Sequence, residues 1–297
     1  MAAEPDADRQ DGQGPGARLR PICIVATMHG KEEVLAPVLA PLLGAEIRVA
    51  EGLDTDRFGS YCGAVGRPHD ARTAARLKAA AGLGLHPEAD FAVSSEGSFG
   101  PHPALPLIAA GLELVLLLGR DGLEVWGQDL TPRTNHRRRT VRTLDEALEF
   151  AASIGFPGHG LMVASPLAAG GDVADPQTLA KGVADRLSLE RLVLERLEAR
   201  GSAVLEADMR AHLNPTRMTA IGRAARDLAA NHRCACPACG RPGFVVTAMR
   251  RGRLCEDCGA ETRQVLSRTR VCAGCGQSRE SRIDGPAPAS SCDRCNP

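Results

Sequence analysis

The 297-residue sequence predicts an α/β fold: a mixed or mostly parallel sheet with flanking helices, followed by a small cysteine-rich C-terminal module. Between residues 21 and 231, short β-branched or apolar runs alternate with helical patterns, the order that builds a sheet covered by helices. Four Cys-x-x-Cys pairs then follow within a short stretch: Cys236/Cys239, Cys255/Cys258, Cys272/Cys275 and Cys292/Cys295. Only 3% of residues are aromatic, so the core is expected to be filled by Leu, Val, Ala and Ile.

Residues 1–20 are rich in Gly, Asp and Ala without apolar periodicity and are expected to be disordered. Residues 22–27 read as a strand closed by Met28-His29-Gly30, and residues 31–43 as a helix despite Pro37 and Pro41. Residues 45–50 form a second strand candidate, residues 70–81 an alanine-rich helix, and residues 90–93 a third strand. The apolar run 112–118 has buried-strand length, and residues 122–126 pair with it as a hairpin across 119–121. Thr143 and Glu146 make a capping box opening a helix to Ile154. Asp175-Pro176 and Asn214-Pro215 each place a cap before proline, predicting helices that end near Gly201 and Asn231. The expected organisation is a 21–231 body and a 232–297 module.

Fifteen residues separate the first two cysteine pairs and sixteen the last two. This spacing suits two structural four-thiolate zinc ribbons rather than a disulfide framework, although thiolate count alone equally suits iron. Gly240, Gly259, Gly276 and Asn296 follow the pairs and tolerate positive φ. Short loops favour sequential sites, Cys236/Cys239/Cys255/Cys258 and Cys272/Cys275/Cys292/Cys295, because closure costs less.

Charge narrows the partners. Residues 232–297 carry 11 Arg and no Lys against 6 acids. Eight thiolates and two zinc ions contribute a net minus four, leaving the module near neutral without the net basic footprint of a nucleic-acid binder. The remaining body has 25 Lys plus Arg against 30 Asp plus Glu. No apolar run has the ~20 residues of a membrane span or the form of a secretory signal. Metal-spaced thiols point to a reducing cytoplasm.

Polar residues gather in four segments. Thr27, His29 and Lys31 sit where a strand meets a helix, suited to holding phosphate, although the Walker pattern is absent. Asp54 and Asp56 share a turn able to face a divalent cation such as Mg2+ or to bond its own backbone. Residues 94–103 read as a Ser, Gly and Pro loop with Glu96 as metal ligand or general base, Ser98 as a ligand contact, and His102 as a proton-transfer group. Asp208, Arg210, Asn214 and Arg217 either orient an anion or make an ion pair plus a helix cap.

The strings at residues 26–32, 54–56, 95–103, 208–212, 214–218 and 292–297 resemble an uncharacterised bacterial family known only as a domain of unknown function, number 6671; the resemblance covers residues 21–297. The order of Thr27, Lys31 and Glu96-Gly97-Ser98 is also similar to that in pyrophosphatases of non-standard purine nucleoside triphosphates, with Met28-His29 in place of their Asn and Ser98 in place of a second glycine. That likeness implies magnesium-dependent hydrolysis of a phosphate-bearing small molecule or nucleotide. The contrasting reading is a non-catalytic ligand sensor, or an adaptor that meets nucleic acid or protein through the ribbons.

Overall fold

The computed structural model describes residues 20–55, 69–167 and 171–297; Asp56 lies outside them. The first sheet has the strand order β2-β1-β3-β4-β5. β1 (Ile22–Val25) is buried on both faces, as its unbroken apolar ICIV sequence requires. It pairs in parallel with β2 (Glu46–Val49) on one side and β3 (Phe91–His102) on the other. Helix α1 (Glu32–Leu43) returns the chain to β2, and α2 (Ala71–Leu85), capped by Asp70, carries it past β1 to β3. The two helices cover opposite faces. Leu35 and Leu39 of α1 pack with Val25, Val93, Val115 and Leu117, whereas Ala75, Ala79 and Leu83 of α2 pack with Ile24, Ala92 and Leu116. The strand order therefore reverses at β1, and its carboxyl end opens a crevice against β3.

Residues 94–103 are not a loop. β3 continues to His102 and pairs antiparallel with β4 (Leu105–Gly119) almost throughout, because β4 supplies a backbone partner for each residue and overrides the weak strand preference of Ser and Gly. β5 (Glu124–Thr131) completes the hairpin expected across residues 119–121. The outer part of β3 brings Phe99 against the core of a second sheet.

The first sheet is the mixed sheet with flanking helices that the sequence predicts, and a second, ordered β6-β9-β7-β8, is added to it. β6 (Arg138–Val141), β7 (Leu161–Ala164), β8 (Ala180–Val183) and β9 (Ala203–Ala207) are antiparallel neighbours. Helix α3 (Leu144–Ser153) carries the Thr143 cap, and Glu146 returns a bond to the Arg142 amide. Asp175 caps only a 3-10 turn at Pro176–Thr178, since pairing with β7 draws the next residues into β8. The helix expected there begins later, as α4 (Arg186–Arg200) capped by Asp185. α5 (Pro215–His232) starts at the Asn214-Pro215 cap and lies on β4 and β5 of the first sheet.

The cysteine-rich module is a three-stranded antiparallel meander of β10 (Val246–Arg251), β11 (Val265–Val271) and β12 (Ser278–Arg282). Arg241 ties it to the β4–β5 turn by donating to the Asp121 carbonyl at 3.2 Å. No helix among the described residues is long and apolar enough to cross a membrane.

Candidate functional site

The eight cysteines gather into two clusters, but not in sequential order. Cys236, Cys239, Cys272 and Cys275 form one, and Cys255, Cys258, Cys292 and Cys295 the other, with the four sulfurs of each within 4.8 Å of one another. Strand direction dictates this interleaving. β10 leads from the first Cys pair to the second, β11 returns to the first end, and β12 runs back, so alternate pairs meet. The closed loop roughly doubles relative to sequential pairing, a cost of only about 0.6 kcal/mol, which the ladder of the meander offsets.

Four thiolates ~2.3 Å from a tetrahedral zinc lie ~3.8 Å apart. The measured separations are 3.7 Å for Cys236–Cys275, 3.6 Å for Cys239–Cys272, 3.9 Å for Cys255–Cys295 and 3.7 Å for Cys258–Cys292. A disulfide would hold its sulfurs at ~2.0 Å. The donor sets therefore fit two zinc ions. Backbone amides draw the Cys272 thiol down to about 6, first that of Cys275, and Cys292 to about 7, first that of Arg294, while the facing sulfurs of the same clusters push Cys275 and Cys295 up. Gly240, Gly259 and Gly276 take positive φ, whereas Asn296 does not. Its amide nevertheless bonds to the Cys292 carbonyl, as the three glycine amides bond to theirs.

The second assembly lies where β1 stops. β1 pairs with β3 only as far as Val93, so among the described residues the β3 edge beyond has no strand beside it on that side. Lys31, at the start of α1, reaches across and donates from Nζ to the Ser95 carbonyl at 3.3 Å. The sheet's pleat sorts the neighbouring charges. Glu96 faces α2 and pairs with Lys78, while Glu113 faces α5 and pairs with Arg217 through Nε to Oε1 at 2.6 Å. All five side chains are buried, three cations against two carboxylates. Burial foremost, and then the Arg217 charge, bring the Lys31 amine down to about 7, with Glu96 and Glu113 opposing.

The loop after β2 approaches the same end, the Thr55 amide lying 3.2 Å from Met28 Sδ; Asp54 belongs to that loop. Thr27 is buried and accepts from the His29 amide at 3.3 Å. The His29 ring stacks on His212 at 5.0 Å. Beside them a groove of about 410 Å³ is lined by Gly30, Glu33, Val34, His212 and Met218. Burial foremost holds His212 below the usual histidine range.

His102 does not join this group. Six strand residues beyond Glu96, at ~3.3 Å each, put it roughly 20 Å away, and its Nδ1 accepts from the Ala104 amide at the hairpin tip. Ser98 lines a separate hairpin groove with Pro101 and Leu112. The 208–217 segment bonds within itself and joins the two sheets. Asp208 pairs with Arg210 at 2.7 Å and accepts from the Gly182 amide, while Asn214 caps α5 and donates to the Asp208 carbonyl. Arg217 also donates to the Met209 carbonyl and lies 5.3 Å from the centre of the Phe99 ring. Gly97 leaves room for the pair, since a Cβ there would lie 2.7 Å from Arg217 Nη2 and 2.8 Å from Glu113 Oε1.

The family model described as Domain of unknown function (DUF6671) matches residues 80–297, crossing both sheets and both cysteine clusters. The chain belongs to the DUF6671 family. A comparison with curated proteins finds no match. The family match includes Glu96, Glu113 and Arg217 and leaves Lys31 and Lys78 N-terminal to it.

Lys78 and Glu113 were not singled out from sequence, yet both carry a signal. Lys78 interrupts the Ala74, Ala75, Ala79, Gly82 stripe of α2, and Glu113 is the lone acid inside an apolar strand. A charge on a buried face needs a buried partner.

Two outcomes follow. With zinc in excess, Cys239→Ser/Cys272→Ser should retain one zinc equivalent by elemental analysis, because both residues belong to one cluster; sequential sites would lose both metals. Glu113→Ala should destabilise the fold by about 3–5 kcal/mol in denaturant titration, leaving Arg217 buried without its counter-charge, while Glu113→Leu/Arg217→Met should recover most of the loss. Equal stability of the two variants would refute the pairing as the cause.

Proposed function

We propose that the β1–β3 crevice binds a phosphate-bearing small molecule, with nucleotides the leading class, and that the protein hydrolyses it with magnesium. The observation that carries this reading is Lys31: a buried amine at the point where the strand order reverses, among three cations and two carboxylates of the described residues. Ligands of open α/β sheets bind at such carboxyl-edge crevices. An incoming phosphate adds negative charge and lets Lys31 take up a proton, while the adjoining groove lies within the ~300–1,000 Å³ typical of ligand sites. Magnesium travels with substrate phosphates and draws oxygen ligands from carboxylates. Glu96 and Asp54, with Asp56 outside the described residues, are the groups proposed for that task, where the ion would neutralise developing charge and activate water. The cysteine clusters are structural in this scheme, since four protein thiolates close the coordination shell of each metal.

The charge state of Lys31 supplies the test. Its folded-state value near 7 lies below the ~10.4 of an unfolded lysine, so the unfolded chain holds more protons between these values and stability should rise with pH across that window. Lys31→Met should flatten the rise. A panel of nucleotides and phosphorylated metabolites, screened with and without magnesium, should yield a ligand whose binding at pH 8 takes up close to one proton, measured calorimetrically in two buffers of different ionisation enthalpy. Lys31→Met should abolish the uptake and weaken binding tenfold or more, the scale of a lost charge-assisted hydrogen bond. Binding without proton uptake, or no ligand and no magnesium-dependent phosphate release across the panel, would overturn the proposal.

A further inference from the structure

The net charge of the cysteine-rich module conceals its distribution. The thiolates lie at the two ends of the meander, whereas Arg250, Arg251, Arg268, Arg270, Arg279 and Arg282 lie on the strands between, with Glu280 the single acid among those strands. Cross-strand register divides them by face. Arg270 stands between Val246 and Arg279, and Arg268 between Met249 and Ser281, so Arg268, Arg270 and Arg279 share one face with Met249. On the other face, Arg250 lies 3.9 Å from Glu280 and Arg251 donates to the Arg263 carbonyl. The guanidinium groups of Arg268, Arg270 and Arg279 make no ion pair or hydrogen bond among the described residues. Like charges directly opposed, as Arg270 and Arg279 are, destabilise a sheet unless an anion lies over them.

We infer that this face docks on the phosphate backbone of a nucleic-acid duplex. Every cation of the module is an arginine, the side chain that binds phosphate in bidentate fashion. A protein partner would need apolar or aromatic anchors at the centre of the contact, and on this face only Met249 is well exposed, with Val246 and Leu266 half-buried beside it. A single strand would need aromatic platforms for its bases, and the three strands contain none. A duplex keeps its bases stacked and presents closely spaced phosphates, so three unpaired guanidinium groups suffice for sequence-independent, salt-dependent binding. The surface is separate from the β1–β3 crevice, and its test does not depend on that site.

The experiment is fluorescence anisotropy of a labelled 24-base-pair DNA duplex titrated with the full-length, zinc-loaded protein. Three phosphate contacts predict a slope of log K against log salt near −2.7 and thus about a 40-fold loss of affinity between 50 and 200 mM salt. Arg268→Gln/Arg270→Gln/Arg279→Gln should remove most of that slope and weaken binding at least tenfold at 50 mM salt, retaining two zinc equivalents. Arg250→Gln on the opposite face should change the slope by less than one unit. If the triple variant loses zinc, Arg279→Gln alone, expected to lower the slope by about one, decides instead. No binding at 100 μM protein in 50 mM salt, or the same slope in parent and arginine variants, overturns the inference. So do a tenfold preference for a single strand of the same length and equal affinity for polyglutamate, which would assign the face to another partner; an RNA duplex binding as well as DNA supports it.

Discussion

The Glu113–Arg217 pair is the constraint on which the two halves of the body depend. Each side chain lies on an element built chiefly for apolar burial, Glu113 inside the interior strand β4 and Arg217 in the first turn of α5. Neither charge tolerates burial alone, so α5 must sit where its guanidinium reaches the carboxylate. That placement fixes the preceding segment through the Met209 carbonyl and the Asn214 cap, and Met209 is part of the second sheet's core. One ion pair thus holds the register of a helix on one sheet and the position of a second sheet against it. Gly97 keeps space for the pair, and Phe99 lies against the guanidinium plane.

The crevice arises from an unequal partnership between strands. β1 is four residues long and β3 twelve, so β3 necessarily outruns its neighbour. A bare strand edge in a protein interior would leave its carbonyls unsatisfied. Lys31 satisfies the Ser95 carbonyl and thereby brings a cation into a place with little water. Its lowered affinity for protons follows from serving as a substitute for a missing strand. The crevice and its unusual amine therefore have one structural origin.

Much of this was legible in the sequence because local chemistry agreed with the global fold. The apolar residues of β1, the Thr143 and Glu146 box and the Asn214-Pro215 cap all lie on the elements they announced. Glu96 and Lys31 lie at one strand edge, and eight cysteines make two clusters. The rest depended on partners distant in the chain. Residues 94–103 have the composition of a loop, and only the length of β4 makes them a strand. His102 is thereby carried to a hairpin tip. Likewise, loop entropy alone favours sequential cysteine sites, but its preference is small beside the directionality of an antiparallel meander. Lys78 and Glu113 are the reverse case, charges conspicuous within apolar patterns whose meaning required knowing what faced them.

Interleaving makes the two cysteine clusters mutually dependent. Each strand of the meander spans the distance between them, so occupancy at one end limits the fraying of all three strands and brings the ligands at the other end into register. The first metal bound pays the ordering entropy for both. The module is accordingly expected to act as a linked pair of ports, in which the second ion is captured more tightly than the first.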